Sequence, residues 1–174
     1  MIRVAIFLVV SIIIIWFSWP SLKKPSSHGF PRFFAFESVL ALVLLNLKYW
    51  FVDPFSVRQI FSWGCLCASL FLVIHAVHLL RVVGKPGDRL EDTTRLVQVG
   101  AYRYIRHPMY SSLLFLGWGA YLKAPGWLTS ILVLLATVSL ILTAKLEERE
   151  NLSKFGDEYV AYMEKTKMFV PYLL

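Results

Sequence analysis

Apolar residues run almost unbroken from Val4 to Trp19 behind a single basic residue, Arg3. At about 1.5 Å per residue, a helix over this run nearly crosses a bilayer core, and it predicts a first membrane span. Removal as a signal segment is not expected, because "WFSWPSLKK" offers no small-x-small cleavage site. A loop rich in Pro and Ser follows, "PSLKKPSSHGFPR". The next apolar run, Phe33 to Val52, is interrupted by Glu37, Asn46 and Lys48, and a third, Ile60 to Val83, carries His75, His78 and Arg81 towards its end. The polar stretch "GKPGDRLEDTTRLVQVG" separates these from Pro108 to Leu122 and Trp127 to Ala144. The turn "KAPG" between the last two is short enough to force antiparallel neighbours.

After Ala144 the pattern turns amphipathic. Leu146, Leu152, Phe155, Tyr159, Tyr162 and Met163 recur at spacings that hold them near one helical face, among charged residues. Gly156 followed by Asp157 reads as a helix stop and restart, with Asp157 as the cap of the second piece. Two short helices lying over one membrane face are expected here. The fold class is therefore all-α: an integral membrane helical bundle of about five transmembrane helices with carboxyl-terminal amphipathic helices. It is read as a single domain over 1–174, in which 1–83 hold the three amino-terminal spans.

Composition agrees, since 57% of the 174 residues are hydrophobic and 17% charged, which disfavours a soluble globular protein. The net charge of +7 does not point to nucleic acid, because the basic residues flank apolar runs and form no soluble basic face. Of the 18 Lys and Arg residues, only Arg3, Lys48, Arg58 and Lys123 fall on one side of five alternating spans. The richer side is the cytoplasmic one by the positive-inside rule, which places the amino terminus outside and every polar cluster below on the cytoplasmic face. Cys65 and Cys67 stand two apart in an apolar run and match neither a disulfide framework nor a CxxC site.

The candidate chemistry centres on "GAYRYIRHPMY". Proline at 108 suits a first helical turn, so Arg106 and His107 sit at the positive end of the fourth span. Backbone N–H groups there attract anions, and a guanidinium adds a two-pronged donor for an acid group. An interfacial arginine also serves as a membrane anchor, but Tyr102, Tyr104, His107 and Tyr110 add hydrogen-bonding aromatic groups in the same short segment. Glu147 and Glu148 lie just past the fifth span, and the hairpin brings them back towards Arg106. The two clusters are expected to form facing walls of one pocket, with a carboxylate accepting from ligand hydroxyls or an amine. The alternative is a solvated face shared with Lys145, Arg149 and Glu150. His75 and His78 share a helical face without a certain third ligand, so they are expected to form hydrogen bonds between helices or to line the pocket, and not to hold a metal. Glu37, about one turn into the second span, is an intramembrane acid and is expected to face the interior. With no GxGxxG loop, a Rossmann-type cofactor site is not expected.

"GAYRYIRHPMY", followed after the hairpin by "EERENLSKFGDEYVAY" and a closing "FVPYLL", resembles the isoprenylcysteine carboxyl methyltransferase family and the related membrane phospholipid methyltransferases. The resemblance covers Thr94 to the end; the first three spans carry no motif that aligns. It implies that 94–174 form a cofactor-binding half that takes S-adenosyl-L-methionine in a largely enclosed cytoplasmic pocket. Carried over by motif, Thr94, Arg95, Leu96, Val97, Tyr102, His107, Pro108, Met109 and Tyr110 line that pocket, and Glu147 or Glu148 binds the cofactor's polar end. Arg106, His107 and Glu148 are the implied catalytic residues. The acceptor implied is a lipid or a lipidated small molecule or peptide that arrives through the bilayer, with a carboxylate favoured. Two departures stand out: Ser112 occupies a position where family members often have glycine, and the expected acceptor-binding arginine has no clear equivalent, Lys145 being only nearby. The other readings are a phospholipid amine N-methyltransferase, an NADPH-dependent membrane reductase, whose carboxyl-terminal half is similar, and a non-catalytic membrane protein.

Overall fold

A computed structural model of the chain describes residues 2–85, 87 and 93–171. Part of the polar stretch after the third span, and the last three residues of "FVPYLL", lie outside them. The described residues form α1 (Ile2–Leu22), α2 (Gly29–Asn46), α3 (Val57–Leu79), α4 (Pro108–Lys123), α5 (Trp127–Phe155) and α6 (Asp157–Lys165), with no strand among them. α2 tightens into a 3-10 turn over Leu47–Tyr49, and α3 widens into a π turn over Leu80–Gly84.

Four of these segments are long and apolar enough to cross a bilayer: Ile2–Leu22, Gly29–Tyr49, Val57–Gly84 and Trp127–Phe155. The protein is thus an all-helical, multi-pass membrane protein. α4 is equally apolar but has 16 residues, about 24 Å of helix, which falls short of a hydrocarbon core of about 30 Å.

Two expectations are corrected by the helix boundaries. The amphipathic tail is one separate helix and not two, because α5 continues through Lys145, Glu147 and Glu148 to Phe155. No Gly or Pro interrupts Trp127 to Phe155, and Lys145 to Glu150 are mostly strong helix formers that carry the ladder on past the apolar run. The break does fall at Gly156, whose φ of 56° and ψ of −133° suit glycine almost alone. Gly156 itself, however, takes the cap position. Asp157 opens the first turn of α6, where its charge meets the positive helix end.

The chain packs as two compact units. One comprises Met1–Cys67 and Leu114–Glu147. Its core joins α2, α4 and α5 through Leu42, Ala120 and Val133. Three polar side chains inside it reach partners on neighbouring helices. The Ser11 hydroxyl donates to Glu37 Oε2 at 2.7 Å, Asn46 Nδ2 to the Ala120 carbonyl at 2.7 Å, and Ser62 Oγ to the Gly119 carbonyl at 2.7 Å. Such bonds satisfy groups that lipid cannot.

The other unit comprises Ala68–Leu113 and Glu148–Leu174 and holds the candidate site. Ala76, Leu80, Val97 and Tyr102 form its buried core, with Leu79, Val83 and Met109 packed against them. The end of α3 is tied to the next segment by the Gly84 carbonyl, which accepts from the N–H groups of Thr94 at 3.1 Å and Arg95 at 3.3 Å.

Candidate active site

The segment that enters α4 is built by backbone pairing. Gly100 turns the chain with φ +58°, and the Ala101 N–H donates to His75 Nε2 at 3.3 Å. His75, stacked on Phe71 with ring centroids 5.6 Å apart, is thereby committed to holding this turn. His78 is exposed, and among the described residues no three His, Cys, Asp or Glu side chains converge as metal ligands. Beyond the turn, residues 104–107 run beside 167–168. The Lys167 N–H donates to the Tyr104 carbonyl at 3.0 Å, Arg106 N–H to the Lys167 carbonyl at 2.7 Å, and His107 N–H to the Met168 carbonyl at 3.1 Å. The parallel bridge between Ile105 and Lys167 is the centre of this short ladder.

Pro108 is the first residue of α4, as its lack of an N–H favours, so Arg106 and His107 immediately precede the helix. The Arg106 side chain, about nine-tenths buried, reaches three acceptors. Its Nε lies 2.6 Å from Glu148 Oε1, and its Nη1 donates to the carbonyls of Met163, at 3.3 Å, and Thr166. The guanidinium thus ties the base of α5 to the end of α6. His107, 4% exposed, places Nε2 3.4 Å from the same Glu148 Oε1. Its ring stacks on Tyr110 at 5.5 Å and tilts against Phe169 at 6.2 Å. Ser111 Oγ locks the corner by donating to the carbonyls of His107, at 3.0 Å, and Phe169, at 2.8 Å.

The residues singled out from the sequence divide into groups. Arg106, His107 and Glu148 come together directly, without a gap between them. Val97, Tyr102 and Met109 belong to the apolar core behind them, and Pro108 and Tyr110 are buried beside His107. Thr94 and Arg95 are exposed and Leu96 half-buried, with Thr94 Oγ1 donating to the Lys85 carbonyl at 3.0 Å. Of the acidic pair, Glu148 is buried and meets Arg106 and His107, whereas Glu147 is half-buried on a different face of α5. Successive residues of a helix point about 100° apart, so only one of two neighbours reaches a given partner. Ser112 donates to the Met109 carbonyl at 2.6 Å within α4, and Lys145 is exposed.

Thr166, Met163 and Phe169 were not legible from the sequence as parts of the site. All three contribute backbone carbonyls, which carry no residue-type signature, and Phe169 lies in the closing element that the resemblance quoted without giving it a role. Tyr162, read as one apolar position on an amphipathic face, proves to be a polar staple: its hydroxyl donates to the Tyr102 carbonyl at 2.6 Å. Burial pushes the Tyr162 phenol above the ordinary tyrosine range, Tyr159 adds to the rise and Arg106 opposes it.

Chemically, the arrangement offers a buried carboxylate oxygen shared by a guanidinium and an imidazole, bordered by aromatic rings. S-adenosylmethionine carries an ammonium, a sulfonium and a flat adenine. A buried carboxylate fits the first, and aromatic faces fit the other two.

The family model for phospholipid methyltransferase matches residues 57–158. Methanethiol S-methyltransferase 1 of Bradyrhizobium diazoefficiens is 28% identical over 117 residues, which are 64% of this chain and 39% of that protein. Methanethiol S-methyltransferase of Pseudomonas deceptionensis is 27% identical over 150 residues, 82% of this chain and 50% of its own length. The chain therefore spans half or less of the length of these relatives. No solved structure matches it. The family match begins at Val57, so the third span lies inside it, although the motifs alone had reached back only to Thr94. On this match, which covers more than half of its length, the chain belongs to the phospholipid methyltransferase family.

Proposed function

We propose that the protein transfers a methyl group from S-adenosylmethionine to an acceptor that partitions into the membrane, at the cytoplasmic leaflet. The observation that carries the reading is the buried Glu148 carboxylate, held at one oxygen by Arg106 and His107. Glu148 would bind the cofactor's ammonium, and His107, Tyr110 and Phe169 would border its sulfonium and adenine. The cofactor supplies an electrophilic methyl group on a cationic sulfur. The chain's part is to align the acceptor and keep water out, and in-line positioning of this kind can account for about 7–11 kcal/mol of a barrier. No residue needs to form a covalent intermediate. The cytoplasmic placement rests on the charge asymmetry of the loops.

For the acceptor, a small thiol is favoured over a prenylcysteine carboxylate; it would attack as its thiolate, its proton having passed to solvent, as the bond from the methyl group to the cofactor's sulfur breaks and S-adenosylhomocysteine leaves. The Arg106 guanidinium is engaged by Glu148 and two carbonyls, so it does not offer its fork to an acceptor carboxylate. The relatives named above are methanethiol S-methyltransferases. The carboxylate reading is kept because the sequence motifs resemble those of the isoprenylcysteine enzymes, and a phospholipid amine is the third choice.

The test supplies labelled-methyl S-adenosylmethionine to the full chain in lipid nanodiscs, with methanethiol, a prenylcysteine analogue and phosphatidylethanolamine as separate acceptors. Label is expected in the thioether product. Label only in a methyl ester would move the assignment to carboxyl transfer. Binding of NADPH with no label in any product would overturn methyl transfer in favour of reduction.

A further inference from the structure

Lys123 ends α4 in what the sequence presents as an exposed turn, yet its side chain has no solvent exposure. Its Nζ lies 3.7 Å from the centroid of the Trp63 ring and 5.7 Å from that of Trp50. The two indoles stand edge to face, 6.0 Å apart and at 90°. Nζ also donates to Gln59 Oε1 at 3.0 Å and to the Trp50 carbonyl at 3.4 Å. Gln59 is itself fully buried, and its orientation is fixed, because its Nε2 donates to the carbonyls of Lys123, at 3.3 Å, and Tyr49, at 3.4 Å. That leaves Oε1 aimed at the ammonium. Among the described residues no carboxylate pairs with Lys123.

A buried cation without an anion is expensive unless its surroundings replace water closely. Here the replacement is complete in kind. Two ring faces present negative quadrupole, two carbonyl-type oxygens accept N–H bonds, and the negative end of α4 lies alongside. These are the elements of an aromatic ammonium receptor. We propose that Trp50, Trp63 and Gln59 form an ammonium-binding box whose occupant in this chain is its own Lys123. Emptied of that side chain, the box binds small free alkylammonium ions. The box is built from residues of the first unit, none of them assigned to methyl transfer, and does not depend on that assignment. In the native chain it pins the segment from Tyr49 to Trp50 onto α3 and α4, with the ammonium as the pin.

The experiment uses Lys123→Ala in the full chain, purified in detergent. Alanine removes three carbons and the nitrogen, so n-propylammonium chloride is the matching probe, with n-propanol as the uncharged shape control and sodium chloride as the ionic one. The variant's unfolding midpoint is expected to rise saturably with propylammonium, by roughly 3–6 °C at millimolar concentrations, while n-propanol and sodium chloride do not reproduce it. Adding Trp63→Leu to the variant abolishes that rise. Lys123→Met, which refills the box with an uncharged stem, gains nothing. An equal response to n-propanol and propylammonium, or no response to either, overturns the proposal. If Lys123→Ala is recovered folded only when propylammonium is present during extraction, the proposal is supported. If it is never recovered while Lys123→Met is, bulk and not charge holds the segment and the proposal fails.

Discussion

Arg106 and Glu148 stand 42 residues apart in the chain, and their side chains meet at 2.6 Å, each about nine-tenths buried. A pair of this kind is a poor source of net stability compared with apolar packing, but removing one partner strands the other without water. The arrangement is therefore best explained by what it orients. It holds Glu148 against His107 and fastens the end of α6 beside the start of α4.

Arg106→Ala should lower stability by about 3–5 kcal/mol, since it uncovers a buried carboxylate and frees two carbonyls. Arg106→Lys should recover less than half of that, because an ammonium cannot serve Glu148 through one nitrogen and Met163 and Thr166 through another. Unfolding midpoints of the three proteins in one detergent check this. A lysine variant as stable as the parent would remove the tying role of the guanidinium.

Tyr162→Phe deletes the bond to the Tyr102 carbonyl and should cost about 1–2 kcal/mol at neutral pH. The phenol's folded-state pKa is raised, so the folded protein holds this proton more tightly than the unfolded chain. The contribution is complete below the unfolded tyrosine pKa of about 10 and drains away as pH climbs above it, by up to about 1.4 kcal/mol per pH unit. Midpoints measured from pH 8 to 11 should fall more steeply for the parent than for Tyr162→Phe. Parallel curves would contradict the assignment.

Gly100→Ala and Gly156→Ala both force alanine to positive φ, but only the first also meets an obstacle. A Cβ at 100 would come 2.5 Å from His75 Nε2, whereas at 156 nothing lies within 4 Å. Gly156→Ala should cost about 1–3 kcal/mol from backbone strain. Gly100→Ala should cost more and disturb the hydrogen bond from Ala101 to His75. Thermal unfolding of both variants ranks them, and the opposite order would show that the turn at Gly100 is not held as described.

The legible part of this protein is the part written in hydrophobic length and in helix punctuation. Apolar runs located the membrane helices, Pro108 marked the start of α4, and Gly156 marked the break before α6. The short hairpin turn correctly anticipated that Glu148 would return to Arg106. What was illegible depends on rotation and on backbone. Nothing in composition decides whether Glu147 or Glu148 faces the site, because the two differ only by about 100° of helical phase. The carbonyls of Met163 and Thr166 leave no mark in residue type. The burial of Lys123 was illegible for a third reason: in the sequence it counts only as a charge beside the Ala-Pro-Gly turn, and the indoles that enclose it come from residues 60 and more positions earlier.

The central claim is that Glu148, held by Arg106 and His107, binds the methyl donor. Its most direct test is calorimetric titration of the purified full chain with S-adenosylhomocysteine, comparing the parent with Glu148→Gln and Glu147→Gln, each confirmed folded by its unfolding transition. The account predicts micromolar or tighter binding by the parent, a loss of roughly 100-fold or more in Glu148→Gln and less than about threefold in Glu147→Gln, in keeping with the loss of a buried charged contact of about 3 kcal/mol or more. A folded Glu148→Gln that binds as tightly as the parent, or a parent that does not bind at all, would contradict it.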